Sequence, residues 1–218
     1  MYGEHYGAGI TPPWATSGVN TKSKKPIVII GGSSSVGSYG RRIETRLSTA
    51  HPDYHDITAI QLARLSGFYP IIATASPSNE HLVKSYGATH FFDRHLSSNQ
   101  LKAVISKVTD SPIGVVYDAI SLPDTQQIGW ELLAENGTLI LTLPAEVKED
   151  EGKGRKAIPT FAAPDAPQNQ ELFRSSWAMV ETWLSEGAIQ VCSAIDVLNH
   201  LTNAPWVAEQ IRSPSERA

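Results

Sequence analysis

The stretch that most constrains this chain is Pro26 to Gly37, PIVIIGGSSSVG. Four apolar residues, Ile27 to Ile30, run into two glycines, three serines, a valine and a third glycine. A short β-branched run of this kind suits a strand buried on both faces, as in a parallel sheet. Gly31 and Gly32 allow a sharp turn, and Val36-Gly37 would open a helix packed against that strand. Strand, turn and helix N-terminus form a phosphate site, because free backbone N–H groups and the helix dipole converge there. Three motifs compete for these residues. Gly32 and Gly37 have P-loop spacing, but Ser38 and Tyr39 follow where Lys and Ser or Thr are required. A nucleophile elbow needs Gly-x-Ser-x-Gly, and none of Ser33, Ser34 and Ser35 is so flanked. The third is the dinucleotide fingerprint G-x-G-x-x-G, with its middle glycine replaced by Ser34. A plain structural strand–turn–helix is the alternative.

Composition narrows the classes. A chain of 218 residues suits one α/β domain with a sizeable core. A net charge of -4 gives no pull towards nucleic acid or acidic membranes. The single cysteine, Cys192, excludes a disulfide framework or a cysteine zinc cluster, and the seven histidines show no metal-ligand spacing. No apolar run approaches the ~20 residues of a membrane span. Nor does the N-terminus read as a secretory signal. A reduced, cytoplasmic setting is the expectation.

Along the chain, strand and helix patterns alternate. The expected order is a strand at Pro70–Ala75, a helix from Asn79 to Tyr86 ended by Gly87, and a strand at Thr89–Asp93. A helix at Ser97–Thr109, a strand at Ile113–Ile120, a helix at Leu122–Glu135 and a strand at Gly137–Leu143 follow. Ala157 to Ala163 is a sixth strand, placed at an edge by Pro159. Gln168 to Ser185 carries Leu172, Trp177, Val180 and Leu184 at helical spacing, which reads as core packing. This alternation predicts a doubly wound parallel α/β sheet in the order 3-2-1-4-5-6. In such sheets ligands lie beyond the strand ends at the switch point, so Asp118, Ala119 and the residues to Ser121 would border the cleft. Asp118 reads equally as a strand-end cap. At the end of the second strand an NAD site places an acid, whereas here Ser76-Pro77-Ser78-Asn79 is uncharged and leaves room for a 2′-phosphate. A Ser-Pro turn opening a helix is the plain reading of the same residues.

GGSSSVGSY, AIQLARLSGFYPIIATASPSNEHLVKSYGATHFFDR, VVYDAI and ENGTLILTLP, in that order, resemble the medium-chain dehydrogenase/reductase superfamily. The nearest resemblance is to its zinc-independent fungal enoyl-reductase-like and alcohol-dehydrogenase-like members, over roughly Gly9 to Gly187. It implies a Rossmann domain over 26–187 that binds a nicotinamide dinucleotide and serves hydride transfer to or from a small unsaturated or carbonyl substrate. The implied cofactor residues are Gly32, Ser33, Ser34, Ser35, Val36, Gly37, Ser76, Asn79, Arg94, Asp118, Ala119, Leu143 and Phe161. Arg94 stands where related reductases often contact the 2′-phosphate, and Leu143 and Phe161 lie where the nicotinamide rests in the family. An uncharged Ser76 with Arg94 nearby favours NADP(H) over NAD(H); a solvated surface arginine is the rival reading. No residue set suggests a metal or an independent catalytic centre.

Residues 1–25 resemble the family's linker from its catalytic domain. With eight residues before Gly9, that substrate domain is expected to be missing, so the isolated chain should turn over little substrate. A leader on a complete small domain is the alternative, and residues 188–218 form a divergent tail. Two further function classes stay open: a truncated, non-catalytic nucleotide-binding or interaction module, and a nucleoside-cofactor methyltransferase. The latter would favour an acid where Ser76 stands.

Gly40 to Thr58 interrupts the family pattern, in which a tyrosine leads directly into A-I-Q-L-A. Two pieces are expected: a helix over about Ser35 to Leu47, and a second capped near Asp56 and running to Ser66 around the break at Pro52. Joining Tyr39 to Ala59 restores one apolar face of Val36, Tyr39, Ile60 and Ala63. The segment therefore reads as a retained intron of about 19 codons, the alternative being a genuine surface excursion. Deleting 40–58 is expected to raise the melting temperature and tighten NADPH binding. A deletion variant that melts lower, or transcripts that all retain the segment, would count against this reading.

Overall fold

The computed structural model of the chain describes residues 8–15, 24–32, 55–149, 152–160 and 166–190. All of these except Gln190 fall in one compact unit. Six parallel strands form one sheet in the order β3-β2-β1-β4-β5-β6. They are β1 Ile27–Ile30, β2 Ile71–Ala75, β3 His90–Asp93, β4 Val115–Asp118, β5 Thr138–Leu141 and β6 Lys156–Pro159. The helices are α1 His55–Leu65, α2 Glu80–Ser85, α3 Ser98–Ile105, α4 Pro123–Leu132 and α5 Gln170–Ser185. Short 3-10 turns at Pro77–Asn79 and Pro167–Asn169 lead into α2 and α5.

The expected topology is the one observed, and β1 is its centre. Ile27 pairs with Ile71 on one side and Val115 on the other, and Ile30 pairs with Thr74 and Asp118. All four residues of β1 and all five of β2 are buried, as a sheet covered on both faces requires. Alternation along β1 sends Val28 and Ile30 into a core with Leu101, Ile105, Trp130 and Leu139, supplied by α3, α4 and β5. Ile27 and Ile29 face the other layer, where α1 brings the fully buried Ile60 and Ala63 against β1 and β2.

Strands β2 and β3 are one residue shorter than expected, β5 three and β4 four, and for β4 hydrogen bonding explains why. The carbonyl of Ile113 accepts from Ala134 N at 2.9 Å, so it serves the turn after α4 and β4 begins later. At the other end, the Asp118 carboxylate takes the N–H of Ile120 at 2.9 Å and draws the backbone out of the ladder. Strand β6 lies at the sheet edge, as Pro159 suggested. Helix α3 opens with a full capping box between Ser97 and Gln100.

One expectation needs correction. The helix over Gln170–Ser185 exists, but its apolar spacing picks the wrong face: Trp177 is 76% exposed and Leu184 is exposed, while Trp183 is buried. The partner is Trp14, whose ring meets Trp183 edge-on at 5.6 Å and whose Nε1–H donates to Ser175 Oγ at 3.0 Å. Burial on α5 is thus set by the Gly9–Trp14 segment, in which Ile10 is also buried. In the interrupted stretch the expected second helix is observed, within a residue of its expected ends. Helix α1 begins at His55, so the last four of the stretch's nineteen residues are helical, and it is α1 that lies on the sheet. The expected first helix at Ser35–Leu47 lies outside the described residues.

Ile60 fixes α1 beside the end of β1, so Ile60→Ala is expected to cost about 2–5 kcal/mol of unfolding free energy, read by urea denaturation with an unchanged slope. A loss under 1 kcal/mol would show that α1 does not hold this face.

Candidate functional site

The site lies beyond the carboxyl ends of the strands, where β1 and β4 diverge to opposite halves of the sheet. Its first part is the turn after β1. Gly31 adopts φ +82°, a left-handed conformation that glycine reaches at no steric cost. Its N–H donates to Thr74 Oγ1 at 3.2 Å, and the Gly32 N–H donates to Thr74 O at 2.7 Å. A Cβ on Gly32 would stand 3.0 Å from the Cβ of Ala73 and 3.4 Å from Ile60 Cδ1. Gly32 therefore serves close packing of turn, strand and helix, with its N–H engaged by β2 and not offered to a phosphate. Thr74, buried and polar in the run IIATA, is the residue that sequence reasoning missed. Its one signal was a hydroxyl in an otherwise apolar strand. Ser33, Ser34, Ser35, Val36 and Gly37 lie outside the described residues, as does Phe161.

The second part joins the ends of β2 and β3. Ala75 pairs with Asp93, and Arg94 N donates to Ala75 O at 3.0 Å. Parallel register thus sets Ser76, the residue after Ala75, beside Arg94. Ser76 is half-buried with extended backbone, and its side chain makes no capping bond to the turn that follows. Asn79 is half-buried at the start of α2, and Arg94 is exposed. Asp93 accepts the backbone N–H of His95 at 3.0 Å. That bond, the His95 ring and the Arg94 charge hold its carboxyl below the ordinary value. An uncharged strand end beside a guanidinium suits an anionic group such as a phosphate.

The third part is a buried polar network across the ends of β4 and β5. Asp118 is fully buried. One carboxylate oxygen accepts the N–H groups of Ile120 at 2.9 Å and Ser121 at 2.8 Å. The other accepts the Thr125 hydroxyl at 2.7 Å. Ser121, at φ +53°, donates its hydroxyl to Asp118 O at 2.7 Å and accepts Thr142 N at 2.8 Å. The buried amide of Gln126 donates to the carbonyls of Ser121 and Pro144 and accepts Glu146 N at 2.8 Å. The carboxylate of Asp118 is therefore a loop anchor, the capping alternative, and not a free ligand. Ala119 and Leu143, both half-buried, sit in the two loops that Ser121 and Gln126 tie together. Ser121 falls in the stretch expected to border the cleft, whereas Gln126 was not distinguishable from a surface polar residue by pattern.

Among the described residues no group of three His, Cys, Asp or Glu side chains could hold a metal ion. No helix among them is long and apolar enough to cross a membrane.

Residues 57–145 match the sequence profile of the zinc-binding dehydrogenase family. Among curated proteins the chain is 29% identical to the trans-enoyl reductase grgB of a Penicillium species, over 61% of this chain and 42% of that protein. It is 39% identical to the trans-enoyl reductase himH of Aspergillus japonicus, over 52% of this chain and 26% of that one. The matches thus span less than half the length of these relatives. Among solved structures, mycobacterial Rv1454c complexed with NADPH superposes with a TM-score of 0.58 at 17% identity, over 78% of this chain and 48% of that one. The nucleotide-binding subdomain of the PpsC enoylreductase domain from Mycobacterium tuberculosis gives 0.54 at 15%, over 78% and 88%. At these identities the superpositions establish the fold.

Burial pushes the Asp118 carboxyl above its ordinary 3.8, against the lowering effect of its three hydrogen bonds. A carboxyl whose native pKa is raised favours folding below the unfolded value and loses that contribution as pH rises through the native value. Asparagine fits the same place: its oxygen can accept both N–H groups while its amide donates to Thr125, whose hydroxyl already reaches Leu122 O. Asp118→Asn should therefore gain stability relative to the parent as pH climbs from about 4. Asp118→Ala, which orphans two backbone donors, should lose about 2–4 kcal/mol. Equal losses in both variants, by denaturant melts at pH 4 and 7, would contradict this account.

Proposed function

We propose that this chain, whose residues 57–145 match the zinc-binding dehydrogenase profile and which is similar to trans-enoyl reductases, is the NADP(H)-binding part of an enoyl-reductase-like oxidoreductase of the medium-chain dehydrogenase/reductase superfamily. Its substrate would be a small unsaturated or carbonyl compound. The observation that carries the cofactor choice is the uncharged β2 end, Ser76 to Asn79, in register beside Arg94. The names of the curated relatives, trans-enoyl reductases, support the reaction class. The NADPH of one structural neighbour supports the nucleotide. The lone Cys192 is in keeping with a reduced, cytoplasmic setting.

When bound, the nicotinamide supplies or accepts the hydride; the protein binds and orients it. Arg94 and the Ser76 hydroxyl would take the 2′-phosphate, a planar guanidinium being well matched to phosphate oxygens. The turn at Gly31-Gly32 brings the backbone close under the site, with the serines that follow as the proposed pyrophosphate donors. On the other side of the switch point, Asp118, Ser121 and Gln126 hold the loops carrying Ala119 and Leu143. Both loops are thereby in place before a ligand arrives, which lowers the ordering cost of binding.

Titration of the purified chain with NADPH, NADH and S-adenosylmethionine tests the reading. NADPH should bind tightest, and Arg94→Ala should weaken NADPH about ten- to a hundredfold, the worth of a charge-assisted hydrogen bond, while leaving NADH within twofold. Equal or tighter NADH binding would overturn the 2′-phosphate assignment. Binding of S-adenosylmethionine alone would overturn the oxidoreductase reading.

A further inference from the structure

We propose that the exposed apolar stripe along α5 is a self-docking surface, on which a second copy of this chain lays the same helix antiparallel to the first. Such docking requires no bound nucleotide.

The stripe is Phe173, Trp177, Val180 and Leu184, spaced four, three and four residues apart. At 3.6 residues per turn that spacing keeps all four within about 60° of one another around the helix. Trp177 is 76% exposed and Leu184 41%, while Phe173 and Val180 are half-buried. The face that holds α5 to the domain is a different one. Buried Trp183 lies about a quarter turn from the stripe, against Trp14, and Ser175, which accepts the Trp14 Nε1–H, lies further round still. An indole this exposed at the middle of a sixteen-residue amphipathic helix is the usual mark of a contact surface.

The spacing and the charges fit a second copy. With two α5 helices antiparallel and the two-fold axis between Ala178 and Met179, Phe173 of one copy falls opposite Leu184 of the other. Trp177 falls opposite Val180, and the two-fold axis repeats both pairs. Arg174 and Glu181 lie together on the flank of the stripe that faces away from Trp183. The axis keeps that flank on one side of both helices, so Arg174 of one copy comes within about 3 Å of axial rise of Glu181 of the other. Arg174 is held 3.0 Å from Glu171 in its own chain, with both side chains largely exposed, so the guanidinium already stands out from the helix. Slipping the axis onto Trp177 destroys the match, because Phe173 then faces Glu181 and Val180 faces Arg174. Slipping it onto Val180 sets Phe173 against Gly187, beyond the end of the helix. One register therefore satisfies both the apolar residues and the charges. A contact made by one helix from each copy is small for a protein interface, so a dissociation constant on the order of 10–100 µM is expected.

Sedimentation equilibrium of the full chain tests this over about 5–300 µM, a span that brackets such a constant. The parent should fit a monomer–dimer equilibrium. Trp177→Glu should weaken it on the order of a hundredfold or more, since each dimer loses a central aromatic twice, with the circular dichroism and melting temperature of the parent retained. Glu181→Arg sets like charges beside each other and should weaken it about three- to thirtyfold. Adding Arg174→Glu to Glu181→Arg reverses both signs and should restore the parental constant. The charge pair tests the register on its own if Trp177→Glu does not fold. A parent that stays monomeric across the range overturns the proposal and gives this face to a different partner. A dimer that survives Trp177→Glu, or one that Glu181→Arg weakens and the double exchange does not restore, also overturns it.

Discussion

Everything in this domain depends on the pairing of β1 with a parallel neighbour on each side. Four residues, Ile27 to Ile30, are hydrogen-bonded to both β2 and β4 and packed under helices on both faces. Because β2 leads away to one half of the sheet and β4 to the other, a crevice opens where the connections diverge. The end of β1 points into it. Thr74 then fixes the turn by taking the N–H of Gly31 on its hydroxyl and that of Gly32 on its carbonyl. The chain there has one path, set by β2, and the close approach of Ala73 and Ile60 leaves no room for a side chain on Gly32.

The two halves of the crevice have opposite physical character. On the β2–β3 side the half-buried, uncharged Ser76 follows β2 and the exposed Arg94 follows β3. On the β4–β5 side the fully buried Asp118 carboxylate holds the loop after β4 through Ile120, Ser121 and Thr125, and Ser121 and Gln126 tie the loop after β5 to it. A buried carboxylate is tolerated only where it is well supplied with donors; Asp118 has three. Such a division suits a dinucleotide, one end recognised by charge in water and the other laid against a pre-set surface.

The resemblance to medium-chain reductases and the structure agree on sheet order, and they diverge on what individual residues do. Gly32 and Asp118 stand at motif positions, yet both are engaged with neighbouring backbone. They shape the crevice, and the ligand contacts proposed for it involve Ser76 and Arg94. The interrupted stretch shows the same principle: α1 begins within it, at His55, and Ile60 and Ala63 carry the helix onto the sheet whatever precedes them.

By itself the sequence determined the α/β class, the strand order, the glycine turn, the edge position of the sixth strand and the uncharged end of the second. These follow from local properties: β-branched runs that can only be buried strands, glycines at a turn, a proline that cannot donate, a missing acid. Tertiary structure decided the rest. Arg94 leaves β3 beside the end of β2 because parallel register sets Asp93 opposite Ala75, and no local pattern encodes register between strands. Trp183 is buried and Trp177 exposed because Trp14, more than 160 residues away in sequence, covers one face of α5. Asp118 became an anchor because Ser121, Thr125, Gln126 and Thr142 fold back around it. A hydroxyl or amide shows its partner only once the chain has brought that partner within hydrogen-bonding distance.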